Sequence, residues 1–569
     1  MVRSVEYLPL GQHGQVRIHV PKARSGGKRR GIVGGLIVLL LLLAIPLLLL
    51  VGGSSWPVNA FASASKDASL GHFRGAATIR PINDRAVLMY KTGHSVIYDR
   101  IPIQFVEPRP DIPNRMIYSD VPLQIAGFPV IDALANLTDL LGDSPAFGEY
   151  NRLQKAHKNG ENVAATTVGW DLDRFKFAPL MTHAWKSFPN ATWFVTIDGD
   201  SFLFWSTLLH WLERYFDRPE YDHWYLGYDE MADETRTKFF AHGGAGFVVS
   251  RGLVDALHKD DPDGHAFHRN VNFNLIGCGD CAMGAVIADV PGRNGHTDAG
   301  RDLFHHDGLD KLIFRPRLWH TYVLSLHHNS PAQLNLLRNW EKRFLPSIPE
   351  WDGVRQCDVL YGLTPTFLRD PLQAYIRASD NVNKSRTGGA DATAAKQVLA
   401  RLNRTVIQPG WKADEVDRIT CEGACLEQYG RGTSAEKCDR ACDAHESCYG
   451  WQLSQASCTL AINGFRIGTP VDSRFQISTA WRLDRIAALE RGMPCSDPAW
   501  RNATDARGHG LRPGRSDQTQ TGLDKKWKLK GSVPVSAPRT GPWIKPQGPI
   551  PGEEDSEKGG VYGIVANVD

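Results

Sequence analysis

A strong charge of either sign is missing from this chain: 65 basic residues against 62 acidic ones leave a net charge of +3 over 569 residues. So small an excess gives no electrostatic ground for a nucleic-acid partner. No long internal repeat is present. At 42% hydrophobic and 22% charged residues, the composition lacks the bias of a disordered or collagen-like chain, and it excludes a multi-span membrane protein. What remains is a globular chain long enough for about three domains, or for one large domain with appendages.

One segment departs from these averages. Gly31 to Val51 reads GIVGGLIVLLLLLAIPLLLLV without a charge, and about 20 apolar residues span a bilayer. Arg3, Arg17, Lys22, Arg24, Lys28, Arg29 and Arg30 precede it against one acid, Glu6, and no charge follows until Lys66. The positive-inside rule then places the N-terminus in the cytosol and the body outside it. A cleaved signal peptide is the competing reading, but its apolar core is shorter and nearer the start. Sequons at Asn136, Asn190, Asn383, Asn403 and Asn502 agree with an extracytosolic body. So do six cysteines packed between Cys421 and Cys458, the pattern of a disulfide-stapled module.

The expected organisation is a cytosolic tail (1–30), a transmembrane anchor (31–53), a Ser/Ala/Gly-rich stem (54–80), a main body (81–345), an extension or linker (346–415), a Cys-rich module (416–485) and a mostly disordered tail (486–569). Within the body, RAVLMY, SVIYDRIPIQFV and RMIYS read as early strands. RFKFAPLMTHAWKSF and SFLFWSTLLHWLERYF carry helical spacing, and TWFVTID, WYLG, GFVVS and YVLSLHH read as further strands. GDCAMGAVIA reads as a helix. Strands alternating with helices predict an α/β layered domain with a mostly parallel sheet.

The most informative stretch is TWFVTIDGDSFLFW, where an apolar strand delivers Asp198 and Asp200 to its C-terminal end. Ligands of open α/β sheets bind at that edge. Two carboxylates so close repel, and a divalent cation with a taste for oxygen ligands, Mg²⁺ or Mn²⁺, relieves the repulsion. A solvated turn or a helix cap is the alternative. Around this pair, in order, stand WDLDRFKF, WYLG, AHGGAGFVVSR, GCGDCAMG and LSLHHNSP.

That ordered set resembles glycosyltransferase family 31, in its Fringe-like branch and the related fungal membrane proteins, over about residues 81–345. The resemblance implies a GT-A fold and inverting transfer of a sugar from a UDP-sugar donor to a glycan or glycoprotein, with Mn²⁺ or Mg²⁺. Asp198 and Asp200 match the family's acidic triplet, although Gly199 stands where relatives often have an acid. His328 matches the late metal-ligand histidine, and a one-residue slip would select His327. Asp280 matches the base; as a residue opening a helix it could equally be a simple cap. Gly243, Gly244 and Gly246 match a loop lining the donor and acceptor cleft, or form a tight strand-entry turn. Lys176 matches a basic position that could neutralise a diphosphate, or is a solvated lysine. Cys278 and Cys281, with no second pair at zinc-ribbon spacing, are expected in structural disulfides.

The run KCDRACDAHESCYGWQLSQASCTL resembles a PAN/apple domain, with Cys438 and Cys442 one helical turn apart and Tyr449-Gly450-Trp451 supplying the aromatics. Six cysteines allow 15 connectivities, and none is singled out. The combined expectation is a single-pass type II Golgi membrane glycosyltransferase. A catalytically inactive carbohydrate-binding membrane protein is the alternative.

Overall fold

The computed structural model describes residues 82–497, apart from 107–108, 110, 162–168, 232–238, 266–267, 269–276, 289, 291–299, 349–351, 386–389, 414–416, 423–433 and 456. The expected cytosolic tail, anchor and stem, the chain after 497 and the sequon at Asn502 lie outside the described residues. Among the described residues no helix is long and apolar enough to cross a membrane.

Apolar runs closed by a polar residue become the central strands. In chain order the strands begin with β1 (Ala86–Lys91), β2 (Arg115–Ser119), the short edge strand β3 (Leu123–Ile125), β4 (Phe128–Asp132) and β5 (Trp193–Asp198). There follow β6 (Phe202–Leu203), β7 (Tyr225–Gly227), β8 (Asp229–Met231), β9 (Phe239–Ala241) and β10 (Phe247–Ser250). One seven-stranded sheet has the order β3-β4-β2-β1-β5-β10-β7. The inner strands β4, β2, β1 and β5 are parallel, whereas β10 runs antiparallel to β5 and β7.

All six residues of β1 are buried, because both faces of the sheet are covered. Val87, Met89 and Phe194 point into one core with Leu180, Met181 and Ala184 of helix α2 (Phe177–Ser187). Leu88, Tyr90, Val195 and Ile197 point into a second core. There they meet Ile97, Ile101 and Phe105 of α1 (Ile97–Phe105) and Leu208, Leu209 and Leu212 of α3 (Trp205–Tyr215). The result is the expected α/β layering.

Three expectations are corrected. SVIYDRIPIQFV forms helix α1 rather than a strand, even with Pro102 inside it. Its buried residues recur every four positions, the period of a helix face, and that periodicity outweighs the β-branched composition. In SFLFWSTLLHWLERYF the helix starts only at Trp205, and Phe202–Leu203 forms β6. YVLSLHH contributes only Ser325–Leu326 to a strand.

Later in the chain come helix α4 (Gly279–Ala288), β11 (Phe304–His305), β12 (Ile313–Phe314) and β13 (Ser325–Leu326). A small sheet orders β11-β13-β6. The segment expected as an extension or linker, 346–415, holds three helices: Gln356–Leu363, Thr366–Lys384 and Ala390–Arg401.

Beyond them, β14 (Thr405–Pro409), β15 (Trp411–Lys412), β16 (Arg418–Cys421), β17 (Cys448–Leu453), β18 (Cys458–Ile462), β19 (Phe465–Arg466), β20 (Thr469–Pro470) and β21 (Ser478–Arg482) follow. Five of these make a sheet ordered β14-β21-β17-β18-β16. A helix over Ala435–Asp443 is tied to it by disulfides Cys438–Cys458 and Cys442–Cys448. The expectation of a mostly disordered segment from 486 is corrected for its first residues, since helix Leu483–Gly492 packs into a core and Cys495 bonds to Cys357.

Candidate active site

The site grows from the carboxyl ends of two parallel strands. β1 ends in Lys91 and β5 in Asp198, and the register sets these residues side by side. Lys91 Nζ lies 2.9 Å from Asp198 Oδ1 and 2.6 Å from Asp173 Oδ2. Burial works against its charge, but Asp173 and Asp198 outweigh it and hold the ammonium protonated well above the usual lysine range. One of the two carboxylates that repel is therefore already partly neutralised.

Asp200 follows in the turn after β5, where α1 supports the loop. Gln104 of α1 donates to the carbonyls of Gly199 (3.1 Å) and Ser201 (2.9 Å). A Cβ on Gly199 would sit 3.0 Å from Ile101 Cδ1 and 3.1 Å from Arg100 Cβ, so close approach of the helix favours glycine where relatives often carry an acid. Arg100 Nη2 stands 3.3 Å from Asp200 Oδ2.

The segment after β13 supplies the histidines. His327 Nε2 is 3.4 Å from Asp200 Oδ1 and 3.8 Å from Asp198 Oδ2, and His328 Nδ1 is 3.8 Å from Asp200 Oδ2. Ligand atoms of Asp200, His327 and His328 all lie within 4.8 Å of one another. His327 is buried and reaches both aspartates, while the side chain of His328 is 60% exposed. His328 holds a left-handed φ of 55°, a conformation that costs a non-glycine residue energy and persists only where its surroundings impose it. Of the two candidates for the late ligand, His327 is thus the better placed, and His328 completes the group from the solvent side.

Burial disfavours the charge on Asp200, yet the neighbouring imidazoles of His327 and His328 and the guanidinium of Arg100 hold its carboxyl far below the ordinary range. The nearby Asp200 carboxylate raises His328 in turn. Asp200 Oδ1 is buried and makes no hydrogen bond. An orphaned carboxylate oxygen facing imidazole nitrogen, with a second carboxylate beside it, is a donor set that fits Mn²⁺ or Mg²⁺.

The turn from Gly243 to Gly246 separates two sides of the site. A Cβ on Gly244 would lie 2.5 Å from both ring nitrogens of His327, so the ring rests directly on the glycine. A Cβ on Gly243 would lie 2.5 Å from Phe177 Cζ and 3.2 Å from Asp280 Oδ2. Gly246 has φ +90° and packs against Ile197 and the Thr196 carbonyl. The close approach these glycines permit is made by the protein's own side chains.

Asp280, second residue of α4, accepts from Gly243 N at 2.7 Å and from Cys281 N at 3.0 Å. Cys278 and Cys281 are joined as a disulfide on either side of it. His242 also belongs here, its ring 5.6 Å from that of His327. Burial lowers His242 below the usual histidine range, against the pull of Asp280 and Glu230.

Lys176 differs from both alternatives given by the sequence. It is fully buried, with Nζ 2.9 Å from Thr92 O, 3.2 Å from Asp120 Oδ2 and 3.5 Å from Asp173 Oδ1. It braces the floor of the site instead of facing solvent or a diphosphate. Lys91, Asp173, Arg100, Gln104 and His242 were not singled out by sequence reasoning. A lysine closing the apolar run AVLMYK was the available signal for Lys91, since Asp198 closes β5 in the same way.

The family model described as Fringe-like matches residues 146–340. The curated protein beta-1,3-N-acetylglucosaminyltransferase lunatic fringe from Xenopus laevis is 24% identical over 200 residues, which cover 33% of this chain and 47% of that protein. The match thus spans about half the length of that relative.

Proposed function

We propose that this chain, which matches the Fringe-like family model over residues 146–340, is a glycosyltransferase of family 31 that moves a sugar from a UDP-sugar to a hydroxyl of a glycan or glycoprotein, with inversion and with Mn²⁺ or Mg²⁺. One observation carries the reading. At the carboxyl edge of the parallel sheet, Asp200 keeps a buried oxygen without a hydrogen bond, facing His327 and flanked by Asp198. Such an edge is where open α/β folds bind ligands.

A divalent cation held by Asp198, Asp200 and His327, with His328 alongside, would supply charge that stabilises a departing nucleoside diphosphate. Lys91 lowers the repulsion between the aspartates, and Arg100 adds positive charge on the solvent side of Asp200. Asp280 takes the proton of the acceptor hydroxyl. Two N–H donors orient its carboxylate, and each oxygen keeps a lone pair for that proton. Inversion needs the base away from the leaving group. Consecutive glycines support that separation, Gly243 meeting Asp280 and Gly244 meeting His327.

The uncharged run Gly31–Val51 supports a single-span type II placement in the Golgi, with the body luminal. Disulfides at Cys357–Cys495, Cys438–Cys458 and Cys442–Cys448 suit such an oxidising compartment. The C-terminal sheet and its stapled helix we read as an apple-like module.

The test is release of UDP from UDP-sugars by the detergent-solubilised full chain. EDTA should abolish release and Mn²⁺ restore it. Asp280→Asn should keep Mn²⁺ and UDP binding while turnover drops by about 10²–10⁴-fold, the usual worth of a positioned base. Turnover indifferent to chelation and to Asp200→Asn contradicts the proposal.

A further inference from the structure

The Cys-rich module is more than an appendage to the transferase domain. Its β19 pairs antiparallel with β12, matching Ile313 with Arg466 and Phe314 with Phe465. The Phe314 and Phe465 rings stack at 5.4 Å, and Gly468 N donates to Asp310 O at 2.9 Å. Phe202, Phe204 and Leu326 share one core with Phe465, Trp481 and Ile486. Cys357–Cys495 ties helix Gln356–Leu363 to the segment after helix Leu483–Gly492 within that same core.

Between β11 and β12 runs a short segment that touches both the module and the metal ligands. His327 N donates to His305 O at 3.1 Å and to Asp307 O at 3.2 Å. Leu309 N donates to Asn329 Oδ1 at 3.3 Å, and Asn329 N to Asp200 O at 3.0 Å. A Cβ on Gly308 would lie 2.9 Å from His328 O, so the segment lies tight against 327–329. Asp307 Oδ2 is 3.4 Å from His306 Nε2 and 3.6 Å from Arg466 Nη2. Arg466 is itself buried, its carbonyl accepts from Trp481 Nε1 at 2.8 Å, and its Nε has no hydrogen-bond partner.

We infer that Arg466, brought in by the C-terminal module, is a positioning residue for the metal site. Its guanidinium anchors Asp307, Asp307 fixes the 305–309 segment, and that segment holds the main chain of His327 and Asn329 against Asp200. The module is thereby the outer support of the transferase site, whatever its sheet binds elsewhere. This rests on the metal-dependent reading above.

The experiment is a Mn²⁺ titration of the solubilised full chain, followed by the EPR signal of free Mn²⁺, with a melting curve for each variant. Arg466→Gln and Asp307→Asn should each weaken Mn²⁺ binding about tenfold, the lower end of what losing a supporting shell costs. The double variant should be no weaker than either single, since the two act through one contact. Arg466→Lys, which keeps the charge, should recover most of the affinity. Should Arg466→Gln unfold the module, its lost melting transition will show it, and Asp307→Asn, outside the module, carries the test. Wild-type affinity in folded Arg466→Gln or Asp307→Asn overturns the inference, as does full additivity. If those two bind normally while Asp200→Asn does not, this inference alone fails. A wild type that binds no Mn²⁺ overturns the metal reading and this inference together.

Discussion

Gly244→Ala puts the geometry to its sharpest test. The new methyl group would lie 2.5 Å from Nδ1 and Nε2 of His327 and closer still to Cε1, where carbon contacts settle at about 3.5 Å or more. The ring must therefore retreat by about 1 Å or more. It has little room, being 5% exposed, with the His328 ring stacked at 3.7 Å and Asp200 at 3.4 Å. A misplacement of about 1 Å costs on the order of 10²-fold in rate, and a disturbed ligand about 10–100-fold in metal affinity. Overpacking should also remove roughly 1–3 kcal/mol of stability. Gly246→Ala is the control. There the left-handed φ of +90° and contacts with Ile197 and Thr196 O should cost stability without singling out the metal. Mn²⁺ titration and UDP release, each with a melting curve, separate the two variants. A Gly244→Ala protein that binds Mn²⁺ within about twofold of wild type would refute the claim that this ring is a ligand seated on the glycine.

Other consequences follow from the same structure. Replacing Cys357 and Cys495 by Ala opens a cross-link across 138 residues, for which chain entropy gives about 5 kcal/mol and practice about 2–5; a melting temperature unchanged on substitution would contradict a welded junction. Burial holds the buried His268 down to about 3 and lowers His258 as well. From about pH 6.5 downward the unfolded chain binds protons that these folded histidines refuse, so stability rises with pH in that window. Melting temperatures in EDTA should fall steadily from neutral pH to about pH 5, and His268→Gln should flatten the slope; a flat wild-type profile counts against it. Asp120, which Lys176 and His94 hold low against burial, adds its loss only below about pH 4, the unfolded carboxyl value.

Much of the site was written in local sequence because short-range patterns fix it. TWFVTID suits a buried strand, and a strand fixes where its last residue emerges, so Asp198 arrives where the pattern puts it and Asp200 follows in the turn. Asp280 at the start of α4 and the glycine turn were readable for the same reason. What escaped reading depends on partners distant in sequence. Helix α1 was masked by isoleucines and Pro102, and its role in shaping the Gly199 turn exists only once it lies across β1 and β5. Lys176 read as a diphosphate-facing or a solvated cation because sequence cannot show that Asp120 and Asp173 enclose it. His327 turns inward to both aspartates while His328 stays exposed, and nothing local announces which of two neighbouring imidazoles will be buried. Helices Gln356–Leu363 and Thr366–Lys384 gain their core from Trp319 and Leu326 on one side and Trp481 and Leu489 on the other, so they read as an extension until both are in place.

Calorimetric titration of Mn²⁺ into the solubilised chain, in the presence of UDP, tests the central claim most directly. One bound ion is expected in wild type, lost in Asp200→Asn and in His327→Ala, and retained with weaker affinity in His328→Ala. Full binding in Asp200→Asn and His327→Ala would contradict the account.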